Sequence, residues 1–491
     1  MNIIARDTEI KDLKSLYDSS VPEFMALYGR RRVGKTFLIR TFFLAQKGAV
    51  FFDVTGTKGS PKKEQIKHFT AQLSKIFYGG AKLQPEKDWD DTFELLTKAI
   101  NAQVTKNKKI VLFFDEIPWM ATRKSRLLES LDYYWNQYWS QDKRIKLIIC
   151  GSSASWIINK IIHNKGGLHN RITREMHLEP FNLSQMKVFL RHKNVNLNDR
   201  QILQLYMVMG GVPYYLTKVE KGLSATQIIE KLAFSKNAFL LEEFDKLFYS
   251  LFDNSDDYLA IVRLLAKSRG GIGERELLKQ IRKNILGAQG KKILRDLEKT
   301  GFIMRFKPLY HKKRGAYYRL KDEYTIFYLK WIEPIRESLE QHALEEYRWQ
   351  EIQTTPEWYS WQGYTFESVC YKHLANIKKA LNLGPTALSS SWRYVPVSQS
   401  KENGAQIDLL FDRKDDAITI CEIKYTDKPF VITKDCFEAI KRKIDVFKTQ
   451  TRSKKQFLVV FISANGVKNN SYAENLLSNV VTLDDLFKGK G

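Results

Sequence analysis

The sequence predicts a multidomain α/β protein: a parallel-sheet domain, a helical segment, a small module of three helices and a hairpin, and a second α/β domain. Three observations carry this prediction. A glycine-rich stretch joins an apolar strand to a helix near the N-terminus, three short helical patterns precede a basic hairpin, and a C-terminal strand carries a carboxylate and a lysine on one face. A length of 491 residues agrees with about three domains of ~150 residues each.

The composition indicates a folded protein with a large excess of positive charge. Apolar residues make up 43% of the chain and charged residues 27%, as in ordinary globular proteins. The 80 Lys and Arg residues against 55 Asp and Glu residues give a net charge of +25, and the sequence pI is about 9.6. A surplus of this size favours a polyanionic partner, with nucleic acid ahead of an anionic membrane.

Patterns that the sequence lacks exclude several classes of protein. No stretch approaches the ~18–20 apolar residues of a membrane span, and the first residues lack the apolar core of a signal peptide. The cysteines are scattered without C-x-x-C pairs, and no H-E-x-x-H pattern occurs, which argues against a disulfide framework and a zinc hydrolase. We therefore expect a cytoplasmic protein with no membrane partner.

The most specific motif is a phosphate-binding loop in "FMALYGRRRVGKTFLIRTFF". An apolar strand before it and a helix after it are the context that the pattern G-x-x-x-x-G-K-[ST] requires. Backbone N–H groups would converge on the phosphates of ATP, Lys35 would reach the β- and γ-phosphates, and Thr36 would ligate Mg²⁺. The predicted ATP-binding residues of this loop are Gly29, Arg30, Arg31, Arg32, Val33, Gly34, Lys35 and Thr36.

A second apolar strand, "IVLFFDE", ends in two adjacent carboxylates about 80 residues after the loop, which is the spacing typical of a Walker B strand. Asp115 would hold Mg²⁺ through water. Glu116 would orient or deprotonate the attacking water, and is therefore a candidate catalytic residue.

Two further segments offer residues for the same site. The strand "IKLIICGSS" ends at Ser152 and Ser153, and ligands lie at the carboxyl ends of parallel strands, so either serine is a candidate for sensing the γ-phosphate. A helix cap is the alternative. In "NRITRE", Arg171 or Arg174 is a candidate arginine finger, acting within the chain or from a neighbouring subunit of a homo-oligomer. A solvated basic loop is the alternative.

The chain up to about residue 245 resembles the archaeal-type ATPase family, a branch of the AAA+/STAND P-loop NTPases. The matching segments, in order, are "YGRRRVGKT", "FFDEIPWM", "CGSS", "NRITRE…LEPF" and "GGVPYYL". In the STAND branch a Gly-x-Pro step in a helical lid touches the nucleotide, so the resemblance implies this role for Pro213. It implies nucleotide binding and leaves open what the ATPase acts upon.

From about Asp256 onward, three helical patterns followed by a basic hairpin predict a helix-turn-helix with a wing. Basic charge on a recognition helix and its wing favours DNA contact, and a protein-interaction or lid module is the alternative. The basic residues of the third helix are Lys291, Lys292, Arg295 and Lys299, and those of the wing are Arg305, Lys307, Lys312, Lys313, Arg314 and Arg319.

Near the C-terminus the strand "AITICEIK" places Glu422 and Lys424 on one face. A hairpin turn at "DRKDD" brings Asp408 opposite or diagonal to that face, and an upstream helix contributes Glu367. Helix, strand and strand in this order resemble the PD-(D/E)xK nuclease superfamily, although the usual Pro before Asp408 is absent. The resemblance implies that Glu367, Asp408 and Glu422 hold Mg²⁺ or Mn²⁺, and that Lys424 is catalytic. An ion-paired edge strand would explain Glu422 and Lys424 alone.

The following helix, "KDCFEAIKRKIDVFKTQ", carries Lys441, Arg442 and Lys443. Contact with the DNA backbone and a solvated basic face are equally compatible with this pattern.

The sequence thus predicts a DNA-directed ATPase with a nuclease-like C-terminal domain. Two alternatives stay open: a STAND-like nucleotide switch whose C-terminal parts bind proteins, and a DNA-binding ATPase whose nuclease fold does not cut. The predicted divisions are a P-loop ATPase core at 1–180, a helical lid at 181–250, a winged-helix domain and linker at 251–335, and a restriction-endonuclease-like α/β domain at 336–491.

Overall fold

The structure, a computed structural model, describes residues 2–122, 124–162, 167–252, 254–268, 270–281, 287–309, 315–341, 349–396 and 404–489. The chain divides into two compact units, Met1–Pro180 and Phe181–Gly491.

The first unit is built on a five-stranded sheet in which all neighbouring strands pair in parallel. The strand order is β2-β3-β4-β1-β5, so β4 lies between β1 and β3. The central strands are buried along nearly their whole length, as expected for a parallel sheet covered by helices on both faces. The strands are β1 (Glu23–Tyr28), β2 (Ala49–Thr55), β3 (Lys109–Asp115), β4 (Ile145–Gly151) and β5 (Arg174–His177).

Helices cover both faces of this sheet. One face has an aromatic core that includes Phe52, Phe69 and Phe114. On the other face, Phe113 of the sheet shares a core with Leu38 of the helix that follows β1. The helices are α1 (Asp7–Asp18), α2 (Lys35–Leu44), α3 (Lys62–Phe77), α4 (Trp89–Gln103), α5 (Ile117–Met120), α6 (Leu127–Gln137) and α7 (Ala154–Ile157). Short 3₁₀ turns lie at Trp139–Gln141 and Gly167–Asn170, and a π turn lies at Ile158–Ile162.

The second unit begins with a group of helices. Capping boxes at Asn182 and Ser224, each with a glutamine at the third helical position, define the starts of two of them. The helices are α8 (Leu183–His192), α9 (Asp199–Met209), α10 (Pro213–Leu216), α11 (Ala225–Ala233) and α12 (Phe239–Leu251).

Three helices and a small antiparallel sheet follow. The hairpin pairs Ile303 with Leu320 and Phe306 with Tyr317, and a third short strand, which the sequence did not predict, pairs with the outer side of the hairpin. The elements are α13 (Ser255–Ala266), β6 (Ile272–Gly273), α14 (Glu274–Ile281), α15 (Ala288–Lys299), β7 (Ile303–Phe306) and β8 (Tyr317–Leu320).

An aromatic helical segment connects this module to the last sheet. Phe327 and Trp331 pack against Trp349, Trp358 and Trp361 in one buried cluster. The helices are α16 (Glu323–Phe327), α17 (Arg336–Glu340), α18 (Trp349–Ile352), α19 (Pro356–Lys372) and α20 (Leu374–Ala380), with a π turn at Tyr328–Ile332 and a 3₁₀ turn at Glu333–Ile335.

The C-terminal sheet is mixed, with the order β13-β12-β11-β10-β9. β9, β10 and β11 pair antiparallel, whereas β11, β12 and β13 pair in parallel. Phe447, on the long helix of this region (Lys434–Thr451), packs against Trp392 of the sheet. The elements are β9 (Leu388–Tyr394), β10 (Ala405–Asp412), β11 (Ala417–Lys424), α21 (Lys434–Thr451), β12 (Gln456–Ser463), α22 (Ser471–Leu476), β13 (Leu477–Thr482) and α23 (Leu483–Phe487).

Replacing either of two glycines of the second unit by alanine should change the free energy of unfolding, in opposite directions. A Cβ at Gly211 would lie 1.8 Å from the carbonyl oxygen of Phe181, whereas a Cβ at Gly363, inside α19, meets no atom within 4 Å. We expect Gly211→Ala to destabilise the fold by about 1–3 kcal/mol and Gly363→Ala to stabilise it by about 0.5–1 kcal/mol. Urea unfolding followed by tryptophan fluorescence measures both. A neutral Gly211→Ala would contradict this packing.

Across the described ranges, no helix combines the length and the apolar character needed to cross a membrane.

Candidate functional sites

The loop between β1 and α2 is closed around the ammonium of Lys35. Its Nζ donates to the carbonyl oxygens of Gly29 at 2.8 Å and Arg30 at 3.0 Å, and the side chain is buried. The loop is therefore curled around this ammonium, which lies at the N-terminus of α2, where anions are favoured.

Glycine is required at two points of this loop. Gly34, the residue before α2, has φ of 94°, a left-handed conformation that residues with a Cβ adopt at a cost. A Cβ at Gly29 would lie 2.3 Å from the carbonyl oxygen of Leu178. Arg32 is also left-handed, with φ of 71°. Among the remaining predicted loop residues, Arg30 and Val33 are buried.

The carboxyl ends of β3 and β4 meet the loop. Thr36 Oγ1 donates to Asp115 Oδ2 at 2.7 Å. This hydroxyl–carboxylate pair at the start of α2 has the oxygen chemistry that Mg²⁺ prefers. The two predicted Mg²⁺ residues are therefore neighbours, although they are distant in sequence.

Glu116 and Ser152 form a second pair at the same edge. The Ser152 backbone N–H donates to Glu116 Oε2 at 3.0 Å and its hydroxyl donates at 2.9 Å. Glu116 is itself left-handed, with φ of 47°. Burial raises the pKa of Glu116, while the Lys35 ammonium and the Ser152 donors oppose that rise. Insertion of β4 between β1 and β3 is what places Ser152 against Glu116.

The two candidate arginine fingers have different environments. Arg174 pairs with Glu23 across 2.9 Å, so its guanidinium is engaged within the unit. Arg171 follows the 3₁₀ turn at Gly167–Asn170 and its side chain is exposed. Arg171 is therefore the better candidate of the two for an external partner.

Sequence reasoning missed one residue that supports the loop. Arg6, which is buried, donates from Nη2 to the carbonyl oxygens of Val33 at 3.3 Å and Glu179 at 2.8 Å. Its position before α1 carries no motif, so only the fold reveals this role. Pro213 opens α10 in the second unit.

The C-terminal candidate site is centred on the carboxylate of Glu422, on β11. Lys424 Nζ lies 2.8 Å from Oε1, and Lys443 Nζ lies 3.0 Å from Oε1 and 2.8 Å from Oε2. These ammonium groups hold the pKa of Glu422 below its usual value although burial acts to raise it. Lys443 is partly buried and pairs with Glu422, so it is not simply part of a solvated basic face, and DNA contact by this residue stays a prediction. Lys441 and Arg442 are exposed.

Asp408 lies beside this carboxylate. Leu409 pairs with Cys421, which puts Asp408 next to Glu422 in the register, and the backbone N–H of Ile423 donates to Asp408 Oδ2 at 3.3 Å. The pairing of β10 with β9 has a register irregularity between Ile407 and Leu410, the segment that contains Asp408. Such bulges redirect side chains and are frequent next to active sites.

Three carboxyl groups in this region affect one another's pKa values through their charges. Burial, then the Glu422 charge, raises the pKa of Asp408 to about 6. Burial, then the Asp408 charge, raises the pKa of Glu367, on α19, to about 8. A cluster of carboxyl groups with divergent pKa values is typical of functional sites, although structural networks produce it too.

The described residues contain no set of three or more His, Cys, Asp or Glu side chains already arranged to hold a metal ion. Both carboxylate oxygens of Glu422 contact lysine ammonium groups. The oxygen chemistry of Asp408 and Glu422 suits Mg²⁺ or Mn²⁺, and metal binding there stays a prediction.

The basic residues of the middle module divide into two groups. Lys291, Lys292 and Arg295 on α15 are exposed, as are Arg305 and Lys307 on the hairpin, whereas Lys299 is half-buried. Lys312, Lys313 and Arg314 lie outside the described residues. Arg319 is only 8% exposed and therefore does not lie on the exposed surface of the wing, where the sequence placed it.

Comparisons with known protein families match two separate segments of the chain. Residues 3–219 match the model of an ATPase domain predominantly from Archaea, and residues 328–453 match a family of archaeal and bacterial proteins of unknown function. An uncharacterised protein of Methanocaldococcus jannaschii is 26% identical over 436 residues, covering 86% of this chain and 88% of its own length.

Two solved structures also match part of this chain. The Walker-type ATPase of Pyrococcus abyssi is 19% identical, with a TM-score of 0.46, over 67% of this chain and 96% of that chain. The ORC2 protein of Aeropyrum pernix, in its ADPNP–ADP complexes, is 14% identical, with a TM-score of 0.35, over 70% of this chain and 95% of that chain.

Proposed function

We propose that this chain, which carries a P-loop ATPase domain of the archaeal type followed by a C-terminal domain of the matched unknown-function family, hydrolyses ATP and cleaves DNA. The observation that carries the DNA-cleavage part is the arrangement of Asp408, Glu422 and Lys424 at the buried β10–β11 hairpin, with Glu367 on the helix beside it. The net charge of +25 supports a polyanionic substrate.

The residues at the loop between β1 and α2, the first of the two candidate sites, suit ATP hydrolysis. Lys35 would exchange its carbonyl partners for the β- and γ-phosphates, and Thr36 with Asp115 would hold Mg²⁺. When bound, Mg²⁺ would supply charge that stabilises the transferring phosphoryl group. Glu116 would accept a proton from the attacking water, with Ser152 fixing its carboxylate. Exposed Arg171 would serve a neighbouring subunit if the protein forms a homo-oligomer.

Ser152 gives a test of the Glu116 assignment by pH. Its hydroxyl favours the charged form of Glu116, so Ser152→Ala is expected to raise the Glu116 pKa further and shift the acid limb of the ATPase pH profile upward by about one pH unit. Ser20→Ala, at an exposed serine just before β1, is the control and should leave the profile in place. An unchanged acid limb in Ser152→Ala would contradict Glu116 as the proton acceptor.

The residues of the second site suit phosphodiester hydrolysis. Water oxygen bonds to phosphorus, the bond from phosphorus to the leaving alcohol oxygen breaks, one water proton passes to a base, and the leaving oxygen takes up a proton. Lys424 would stabilise the charge that develops on the phosphate oxygens. Asp408 and Glu422 are the residues that would hold a divalent cation, which would supply an activated water. For a cation to bind Glu422, the Lys443 ammonium would have to move away from at least one of its carboxylate oxygens.

The middle module would bind the DNA. We propose that α13–α15 and the β7–β8 hairpin act as a winged helix, because its exposed Lys291, Lys292 and Arg295 lie together on α15. In this proposal ATP turnover in the first unit regulates the second.

The decisive experiment is plasmid cleavage by the purified full chain with Mg²⁺ or Mn²⁺, with and without ATP. Conversion of supercoiled plasmid to nicked or linear DNA supports the proposal. Intact DNA of every form, together with measurable ATP hydrolysis, would overturn the cleavage part.

A DNA-binding ATPase with an inert nuclease-like domain is the second candidate. The two lysines on the Glu422 carboxylate favour it, because they occupy the oxygens that a metal ion would need. DNA binding that weakens steeply with salt but without cleavage would support this candidate.

A further inference from the structure

Arg319 is buried at the contact between the β7–β8 hairpin and α19. Its guanidinium carbon lies 3.7 Å from the centroid of the Tyr371 ring, and the ring of Phe306 lies 5.5 Å away. The residue is 8% exposed, and its Nη2 has no hydrogen-bond partner among the described residues. The guanidinium is thus fixed by aromatic stacking, with one donor group left over.

Tyr371 connects this arginine to the acidic site. Its hydroxyl donates to the carbonyl oxygen of Asp408 at 2.6 Å, and it lies one helical turn after Glu367 on α19. The Arg319 charge acts on both Glu367 and Tyr371. Arg319 therefore lies at the edge of the site that contains Asp408 and Glu422.

A purely structural role explains this arrangement poorly. Burying a guanidinium costs free energy unless its donors are satisfied, and an apolar side chain of similar size would fill the aromatic stack at a lower cost. Arginine is suited to an anion with two acceptor oxygens, because its planar donors match phosphate geometry. The partly unsatisfied guanidinium next to the carboxylates is therefore suited to a phosphate that enters the site.

We propose that Arg319 binds the phosphodiester group of the nucleic acid in the C-terminal site, so that the β7–β8 hairpin supplies one residue of that site. This inference rests on the proposed function. The acidic site is then incomplete without the hairpin, and displacement of β8 would remove a phosphate-binding group. The hairpin would couple DNA binding by the middle module to the reaction at Asp408 and Glu422.

The test compares Arg319→Gln with wild type in two assays on the full chain. In cleavage of a fluorescent DNA duplex with Mn²⁺, we expect kcat/KM to fall about 10²-fold. In binding of the same duplex with Ca²⁺, we expect the slope of log affinity against log salt to become shallower by about one unit, because one phosphate contact is lost. Arg413→Gln is the matched control, since that arginine already pairs with Asp415 and should change neither value.

If Arg319→Gln does not fold, Arg319→Lys provides the test instead. It retains the charge, so the salt slope should equal that of wild type, while kcat/KM should fall about tenfold because the planar donors are lost. Wild-type values of both kcat/KM and salt slope in Arg319→Gln, or a wild-type kcat/KM in Arg319→Lys, would overturn the inference. A wild-type protein that cuts no DNA would overturn the proposed cleavage instead, and the salt slope would still decide whether Arg319 contacts phosphate.

Discussion

Replacement of Lys35 by alanine is expected to reduce ATP hydrolysis by at least about 10³-fold. The Lys35 ammonium is the buried positive charge around which the loop carbonyls of Gly29 and Arg30 are arranged. Alanine removes both the charge that would meet the phosphates and the group that keeps the loop curled. Phosphate release at saturating ATP measures the change, and fluorescent-nucleotide binding shows whether affinity falls with it.

The matched control for this variant is Lys47→Ala. Lys47 is an exposed lysine of the same unit, beyond the end of α2, and its removal should leave the rate within about twofold of wild type. If Lys35→Ala hydrolyses ATP at the wild-type rate, the assignment of the ATP site to this loop is wrong.

Replacement of Lys424 by alanine is expected to reduce DNA cleavage by about 10²–10³-fold while ATP hydrolysis continues. Its ammonium lies 2.8 Å from Glu422 Oε1 and is one of two positive charges on that carboxylate. Removal of the charge takes away stabilisation where negative charge develops on the phosphate. Initial rates of plasmid nicking with Mn²⁺ give the size of the effect.

Lys428→Ala, a change to an exposed lysine just after β11, is the control for Lys424→Ala and should cut like wild type. Thermal melting of both variants shows whether a loss of cleavage is due to unfolding. We expect Lys424→Ala to remain folded, because Glu422 still has Lys443 as a partner. Equal cleavage by Lys424→Ala and wild type would place the cutting activity elsewhere.

The sequence by itself determined the features that are encoded locally. The P-loop is a contiguous motif. Asp115 and Glu116 follow an apolar strand, so they lie at the carboxyl end of that strand whatever its position in the sheet. The neighbouring positions of Asp408 and Glu422 follow from a hairpin, whose register depends on the turn and on alternation along the strands. Residues 3–219 match the model of an ATPase domain predominantly from Archaea, in agreement with the resemblance read from the motifs of this region.

Only the tertiary structure decided which partner each polar side chain meets. The strand order that brings Ser152 to Glu116, the pairing of Arg174 with Glu23, and the turn of Lys443 toward Glu422 all join segments that are far apart in the chain. The burial of Arg319 against Tyr371 is of the same kind. A basic residue has the same local pattern whether it faces solvent or a buried carboxylate. The choice is made by long-range packing, because a buried charge is retained only where the fold supplies a compensating partner.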